Sequence, residues 1–255
     1  MTRDRRPRRD RRSRRARRSR RERSHPPPTE AESDAERARR VQRAYAAWAR
    51  IYDRFAWATA SVGGVRARCV RALDLDPGDT VVEFGCGPGV NFPALREVVG
   101  PTGRVVGVDL TGAMLDRASA LVERRGWENV SLVRGDATEP PIRRADGVLA
   151  TFVTSLFPDP YAVVSDWCDR ADAVAIASFT PGGSPPANAA LWAFARLNAR
   201  LFDAESGDPL GQLAERTAAA RRALDDRMTE VDRERYLFGT IAVHVGRDPV
   251  RERSR

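Results

Sequence analysis

The sequence has no lysine at all, so its 44 basic residues are all arginine, which we attribute to the nucleotide composition of the genome. It has only three cysteines, Cys69, Cys86 and Cys168, and no Cys-x-x-Cys pair. This spacing gives no support to a metal site and predicts a reducing, cytoplasmic setting. No apolar run reaches the roughly 18 residues of a transmembrane helix. The arginine-rich start is not followed by the apolar segment that a secretion signal needs.

Charge is distributed unevenly along the chain. Residues 1–23 contain fourteen arginines and three acidic residues, a net charge of +11, so the rest of the chain has a net charge of −2. Residues 1–40 have too few apolar side chains to build a core, and we predict a disordered arm there. Such an arm binds polyanions (RNA, DNA or anionic lipid) by counterion release. The alternatives are a solvated tail without a partner and a misplaced gene start.

The remaining residues, 41–255, are numerous enough for one domain with a substantial core. Short apolar runs alternate with helical segments, which predicts a parallel sheet wrapped by helices. Asn91 and Pro93 are typical of the N-cap and first turn of a helix. The predicted strands are 80–84, 104–109, 130–134, 146–151, 173–179, 229–236 and 239–245. The predicted helices after residue 64 are 65–72, one that follows Asn91, 113–125, 187–204 and 209–226.

The most informative motif is VVEFGCGPG at residues 81–89. Glycines at alternate positions let the backbone turn sharply and approach a ligand closely. Three acidic residues, Glu83, Asp109 and Asp136, each end a predicted strand or its following turn. Because the carboxyl ends of parallel strands share one edge of the sheet, we expect the three carboxylates to face a ligand that is rich in hydrogen-bond donors.

These residues, together with Gly112–Leu115 and Gly135–Ala137, resemble class I S-adenosylmethionine-dependent methyltransferases. The resemblance spans roughly residues 45–247 and is strongest over 80–137, within the small-molecule and lipid group that includes quinone and lipid-headgroup methyltransferases. It implies a Rossmann-like, doubly wound α/β fold. It also implies a sheet of seven mostly parallel strands with a C-terminal antiparallel hairpin, and S-adenosylhomocysteine as the product. The alternative is a dinucleotide-binding oxidoreductase, which is disfavoured because its fingerprint has glycine at the position of Val90 and an apolar residue at that of Glu83.

The resemblance implies a role for each candidate cofactor residue. Asp109 would hold the ribose hydroxyls, Asp136 the adenine amine, and Glu83 would support the methionine end beside the glycine turn. For any single acid, a helix cap or a turn is the competing interpretation. The predicted cofactor-binding residues are Glu83, Gly85, Cys86, Gly87, Gly89, Asp109, Leu110, Met114, Asp136, Ala137 and Thr151, of which Leu110, Met114 and Ala137 form an apolar slot for adenine.

Residues 41–60 have apolar and aromatic side chains at steps of three and four, which predicts an amphipathic helix. Tyr45 and Tyr52 are seven residues apart and share one face. By resemblance, this helix and its Tyr52-Asp53 pair lie over the pocket, so Tyr52 and Asp53 are the candidate catalytic residues and Tyr45 a candidate substrate contact. The alternative is a helix that packs its aromatic residues into the core.

The methyl acceptor is the least determined part of the prediction. Base-specific nucleic-acid methyltransferases often have an Asp/Asn-Pro-Pro-aromatic motif after the fourth strand, where this chain reads Thr151-Phe152-Val153-Thr154. We therefore expect a small-molecule or lipid-like acceptor, contacted by Phe152, Phe157 and Trp192, although such aromatic residues also serve as core. A nucleic-acid methyltransferase tethered by the arm and a non-catalytic cofactor-binding protein are the alternatives, and the oligomeric state stays open.

Overall fold

The computed structural model of the chain describes residues 64–201 and 207–250, without the side chains of 197–201. The strands are β1 (Thr80–Phe84), β2 (Arg104–Asp109), β3 (Val130–Arg134), β4 (Ala145–Thr151), β5 (Ala171–Phe179), β6 (Met228–Tyr236) and β7 (Ile241–Pro249). The helices are α1 (Val65–Ala72), α2 (Phe92–Val99), α3 (Gly112–Arg125), α4 (Pro160–Arg170), α5 (Pro185–Leu201) and α6 (Pro209–Arg227), with a short 3-10 helix at Thr154–Leu156.

All seven strands form one sheet in the order β3-β2-β1-β4-β5-β7-β6. The first five strands pair in parallel, whereas β7 pairs antiparallel with both β5 and β6. The strand order reverses between β1 and β4, and ligands bind at such a reversal, beyond the carboxyl ends of the strands. The predicted doubly wound α/β fold, with a C-terminal antiparallel hairpin, is confirmed.

Two hydrophobic cores lie on opposite faces of this sheet, because successive side chains of a strand point in opposite directions. Val81 belongs to the core that contains residues of α1, α2 and α3. Val82 and Phe84 belong to the core that contains residues of α4 and α6. We call these the α1–α3 face and the α4/α6 face. Because side chains alternate along β1, Glu83, which lies between Val82 and Phe84, is on the α1–α3 face.

The bounds of the predicted elements agree with the observed ones to within about two residues, except that β7 ends at Pro249 and not at residue 245. The helix α4 was not predicted from the sequence. The last strand begins at Ile241 because Leu237, Phe238 and Gly239 all have positive φ and form the hairpin turn. Asn91 occupies the predicted N-cap position of α2, with Pro93 in the first turn, but the Asn91 side chain makes no capping hydrogen bond. The predicted arm (1–40), the helix at 41–60 and residues 202–204 lie outside the described residues. Within 64–201 and 207–250, no helix is both long and apolar enough to cross a membrane.

Candidate functional site

The glycine turn after β1 has three residues in the left-handed region, with φ of 65° at Gly85, 54° at Gly87 and 81° at Gly89. A Cβ at Gly85 would lie 2.7 Å from Val153, and one at Gly89 would lie 2.5 Å from Phe92. A Cβ at Gly87 would meet no atom within 4 Å. Gly85 and Gly89 are therefore required for packing the turn, whereas Gly87 faces open space.

That space belongs to a small cavity, partly open to solvent, beside the turn. Its wall combines the turn with one residue of α1 and one at the end of β4. Cys86 lines it as a neutral thiol, because burial raises its pKa. The lining residues are Arg66, Gly85, Cys86, Gly87, Pro88, Val90 and Thr151.

Asp109, at the end of β2, connects its strand to the glycine turn. Its Oδ2 accepts a hydrogen bond from the backbone N–H of Gly87 at 2.9 Å, and its Oδ1 accepts one from Thr111 at 2.8 Å. Burial raises the pKa of this carboxyl, while the two backbone hydrogen bonds oppose the rise. A side-chain hydrogen bond from Thr111 also lowers the pKa of this carboxyl. A carboxylate has about four acceptor positions, so these three hydrogen bonds do not use all of them.

Asp136 has a different environment from Asp109. It is exposed after β3, and its Oδ1 accepts hydrogen bonds from the N–H and the hydroxyl of Thr138, both at 2.8 Å. Of the three residues predicted to form the adenine slot, Met114 and Ala137 are buried and Leu110 is 60% exposed. Asp136 thus stabilises its own turn, which follows β3.

A buried polar cluster lies behind the glycine turn, formed by Arg66, Glu83, Asn91 and Thr151. Asn91 Nδ2 donates to Glu83 Oε1 at 2.5 Å and to Thr151 Oγ1 at 3.1 Å. Arg66 Nη1 donates to Thr151 Oγ1 at 2.6 Å and to Asn91 Oδ1 at 3.4 Å. The Asn91 side chain is thereby directed into this cluster, which is why it does not cap α2.

Two members of the cluster have unused hydrogen-bonding groups. Glu83 Oε2 and Arg66 Nε are both buried and have no hydrogen-bond partner. Burial raises the pKa of Glu83 to about 8, a rise that the Asn91 hydrogen bond and the charge of Arg66 reduce. Buried polar groups without partners are costly. Their position next to a cavity that faces Gly87 fits a site for a charged, hydrogen-bonding ligand group.

Aromatic side chains continue the site beyond the ends of β4 and β5. Phe152, with φ of 63°, stacks on Phe179 with ring centroids 4.5 Å apart, and Phe179 lies 5.5 Å from Phe194 of α5. The Arg66 guanidinium lies 5.1 Å from the Phe152 ring centre. Trp192, also on α5, is largely exposed. These rings make an apolar surface next to the polar cluster.

Phe157 is not part of that surface. It is buried and packs edge-on against Trp167 with centroids 5.6 Å apart, in the core of the α4/α6 face. The assignment of Phe157 to substrate binding is therefore not retained. Tyr45, Tyr52 and Asp53 lie outside the described residues, and no group of metal-ligating side chains occurs within 64–201 and 207–250.

Sequence reasoning missed Arg66, and it did not reveal that the Asn91 side chain contacts Glu83 and Thr151. α1 has three arginines within eight residues, VRARCVRA, and nothing in that pattern indicates which of them is buried. Arg66 becomes recognisable only when the fold brings α1 next to the ends of β1 and β4.

Residues 81–170 match a protein family described as "Methyltransferase domain". The chain is 32% identical over 107 residues to protein-L-isoaspartate O-methyltransferase of Methanothermobacter thermautotrophicus, covering 40% of this chain and 48% of that protein. It is 37% identical over 123 residues to nocamycin O-methyltransferase of Saccharothrix syringae, covering 45% and 44%. It is 42% identical over 71 residues to ribosomal RNA large subunit methyltransferase E of Syntrophobacter fumaroxidans, covering 28% and 32%. The chain thus spans half or less of the length of these curated relatives.

Solved structures share the fold. A methyltransferase of Haloferax volcanii, solved in complex with the Trm112 methyltransferase activator, superposes with a TM-score of 0.57 at 17% identity, covering 81% of this chain and 98% of that one. The N-terminal domain of EvdMO1, solved with S-adenosylhomocysteine bound, gives a TM-score of 0.50 at 20% identity, covering 72% and 81%. The family match, the relatives and the fold together support a class I S-adenosylmethionine-dependent methyltransferase domain that contains residues 81–170.

Proposed function

We propose that the protein transfers a methyl group from S-adenosylmethionine to a small-molecule or lipid-like acceptor. The observation that carries this proposal is the joint placement of Asp109, the glycine turn and the cavity at the strand-order reversal. The relatives act on different acceptors, since their names specify a protein, a small molecule and ribosomal RNA. The choice among acceptors therefore depends on features of this chain.

The described residues suit separate parts of the cofactor. Asp109 is positioned to accept hydrogen bonds from two ribose hydroxyls while it holds Gly87 and Thr111. Asp136 is assigned to the adenine amine, with Leu110, Met114 and Ala137 along the ring. The glycine turn, with Cys86, and Thr151 at the end of β4 border the cavity for the methionine end, and Glu83 lies behind them.

The bound cofactor supplies a methyl group on a cationic leaving group, so the protein mainly has to align the acceptor and exclude water. Orientation of two reactants contributes roughly 7–11 kcal/mol to lowering a barrier. On the acceptor side we assign Phe152 and Trp192, and we assign Tyr45, Tyr52 and Asp53 to a helix that closes over the pocket. A closing residue affects turnover more than cofactor affinity.

An apolar acceptor is favoured by the aromatic surface of Phe152, Phe179 and Phe194. A nucleic-acid acceptor is the second candidate, because the +11 charge of residues 1–23 suits a phosphate backbone. Under that alternative, deletion of residues 1–40 weakens RNA binding and abolishes its dependence on salt.

The test begins with calorimetry of the full chain against S-adenosylhomocysteine, with NADH as the control ligand. We expect binding of the first ligand only, and tight NADH binding would overturn the proposal. Tritiated S-adenosylmethionine is then incubated with total RNA and with organic extracts of cells. Label in the organic phase supports a small-molecule or lipid-like acceptor, whereas label in intact RNA assigns the activity to the second candidate.

The closing helix is tested by Tyr52→Ala once the labelled product is known. We expect turnover to fall at least tenfold, about 1.4 kcal/mol in the barrier, with S-adenosylhomocysteine affinity within about threefold of wild type. Normal turnover, or a variant that does not fold, would show that the helix only completes the core.

A further inference from the structure

Exposed apolar side chains are concentrated at one edge of the sheet. In the part of the chain that the structure describes, six large apolar residues are exposed, and five of them lie at the edge where the parallel strands end: Leu110, Leu156, Trp192, Leu237 and Phe238. The last two belong to this edge because Ile241, which begins β7, pairs with Phe179 at the end of β5. The sixth, Val250, follows β7 at the opposite edge. A group of exposed apolar residues that is confined to one edge marks an interaction surface.

The most exposed of these residues, Phe238, belongs to a strained turn. Leu237 and Phe238 have φ of 48° and 55° and are the central residues of a turn closed by the N–H of Gly239 on the carbonyl of Tyr236, at 3.0 Å. Such a turn favours Asn-Gly, because a positive φ strains residues that have a Cβ. Leucine and phenylalanine here are unfavourable both for the backbone and for contact with water. Strain of this kind points to a function.

The turn is fixed by the loop that follows β5. Arg235 Nη1 donates to the carbonyl groups of Pro181 and Gly239, both at 3.1 Å. A Cβ at Gly182 would lie 2.4 Å from the carbonyl oxygen of Phe238, so the two backbones are in close contact. The apolar side chains of the turn are therefore presented from an ordered backbone, which reduces the entropy that binding would cost.

Arginines accompany the exposed apolar groups of this edge. The Arg196 guanidinium lies 5.5 Å from the ring centre of Trp192. Arg216 donates to the carbonyl group of the residue before Leu156, and Arg235 braces the turn. Apolar side chains flanked by guanidinium groups match an anionic bilayer, where apolar groups enter the acyl boundary and cations meet phosphate groups. We define the edge surface as the following residues: Leu156, Trp192, Leu237, Phe238, Arg196, Arg216 and Arg235.

The charge of the chain also favours a lipid bilayer as the partner. Stable attachment to a membrane takes two signals, such as an apolar group and a polybasic segment. Residues 1–23, with a net charge of +11, supply the second signal through their covalent link alone. Acidic side chains occur at the same edge, but Asp136 and Asp159 accept hydrogen bonds from backbone N–H groups of their own turns. The positive partial charge of these N–H groups offsets part of the negative charge.

We propose that the edge surface docks on a lipid bilayer that carries anionic headgroups, with Leu237 and Phe238 entering the acyl boundary. The cavity beside the glycine turn opens at this same edge, and Trp192 belongs both to the edge surface and to the proposed acceptor side. A lipid-like acceptor then reaches the site from the bilayer without crossing water. This delivery rests on the proposed function, whereas docking itself does not require methyl transfer.

The test replaces the turn residues of the full-length chain by the pair that such a turn favours, Leu237→Asn with Phe238→Gly. This turn variant preserves the backbone and removes both apolar side chains. Val250→Asn is the matched control, because it removes an exposed apolar side chain at the opposite edge. Binding is measured by sedimentation with vesicles of equal parts phosphatidylcholine and phosphatidylglycerol. We expect the turn variant to bind at least tenfold more weakly than wild type, and Val250→Asn to bind as wild type does. The difference should persist at high salt, which weakens the attraction of residues 1–23 but not the apolar contact.

A fluorescent probe shows which part of the protein touches the bilayer. The three cysteines of the chain are buried, so the thiol introduced by Phe238→Cys can be labelled selectively with a polarity-sensitive dye. We expect the emission of this dye to shift to the blue when vesicles are added. The same dye attached after Val250→Cys should show no shift.

Equal vesicle binding by wild type and the turn variant, or no blue shift at position 238, would overturn the proposal, because residues 1–23 would then account for the attachment. Absence of vesicle binding by wild type would also overturn it. Self-association of wild type without vesicles, lost in the turn variant, would assign the edge surface to a second copy of the chain. If thermal melting shows that the turn variant does not fold, Phe238→Ser replaces it. Vesicle binding by a wild type that does not bind S-adenosylhomocysteine would refute the proposed function and leave the docking surface standing.

Discussion

Two neighbouring residues of β1 lie on opposite faces of the sheet, one in polar and one in apolar surroundings. Glu83 and Phe84 are adjacent, and neither is more than 1% exposed. Phe84 stacks on Trp167 at 4.8 Å in the α4/α6 face. Glu83 lies among Asn91 and the other members of the polar cluster, with one oxygen unsatisfied. Around Phe84 the sheet is covered by apolar packing, whereas around Glu83 it retains polar groups whose hydrogen bonds are incomplete.

This difference indicates that the residues around Phe84 mainly stabilise the fold, whereas those around Glu83 mainly serve ligand binding. Apolar burial contributes roughly 25 cal/mol per Å² to folding, and the α4/α6 face supplies it around Phe84. An unsatisfied buried polar group lowers stability by about 1–3 kcal/mol. On the α1–α3 face, Glu83 and Arg66 each have such a group at the site. Substitutions on the α4/α6 face should therefore change stability alone, while those at the site should change binding or its dependence on pH.

The largest effect is expected in the core of the α4/α6 face. Leu224→Ala removes a fully buried side chain of α6 and leaves a cavity, which should lower the free energy of unfolding by about 2–5 kcal/mol. Chemical denaturation measures this loss, and calorimetry in native buffer should find S-adenosylhomocysteine affinity within about twofold of wild type. A large loss of affinity with little loss of stability would contradict the separation of the two faces.

Glu83→Gln should have an effect that depends on pH. The pKa of Glu83 is about 8 in the folded protein, whereas an ordinary glutamate has a pKa of 4.5. Between these two pH values Glu83 is ionised in the unfolded chain and protonated in the folded protein. Wild-type stability is then lost as pH rises through this window, by about 1.4 kcal/mol per pH unit. The isosteric glutamine avoids that loss.

Denaturation of both proteins at pH 5 and pH 8 tests this prediction. The variant should be close to wild type at pH 5 and clearly more stable at pH 8. If the difference in stability between variant and wild type is the same at pH 5 and pH 8, Glu83 does not titrate between these pH values.

The two predicted ligand acids should differ from each other. Asp109→Ala removes the acceptor for Gly87 and Thr111 as well as the proposed ribose contact, and should weaken S-adenosylhomocysteine by 10- to 100-fold, about 1.4–2.8 kcal/mol. Asp136→Ala removes an exposed turn contact and should cost less than tenfold. Calorimetry of both variants measures these losses of affinity. A loss for Asp136→Ala that is equal to or larger than the loss for Asp109→Ala would refute the assignment of Asp109 to the ribose.

The smallest effect is expected at the hairpin turn, away from both cores. Phe238 is 79% exposed with φ of 55°, a conformation that is unfavourable for residues with a Cβ. Phe238→Gly should stabilise the protein by up to about 1 kcal/mol, because relief of strain exceeds the entropy of glycine in the unfolded chain. Thermal melting measures this gain, and clear destabilisation would indicate that the ring has a packing role.

Local patterns predicted the parts of the molecule that depend on local rules. Apolar runs identified the strands, and alternating glycines identified the turn that meets Asp109. The errors concern contacts between distant segments. Asn91 has the sequence features of a helix cap, but Glu83 and Thr151 compete for its side chain. Phe157 follows β4 closely, but the short 3-10 helix that precedes it leads its ring to the opposite face of the sheet.

The position of β6 at the end of the sheet bears on how copies of the protein behave when concentrated. An edge strand has unpaired backbone groups that attract other strands. β6 is nine residues long, and its sequence MTEVDRERY places charged side chains at five of those positions. A second edge that approached it would have to strip water from these charges. The charged side chains of β6 therefore oppose aggregation by addition of another strand at this edge of the sheet.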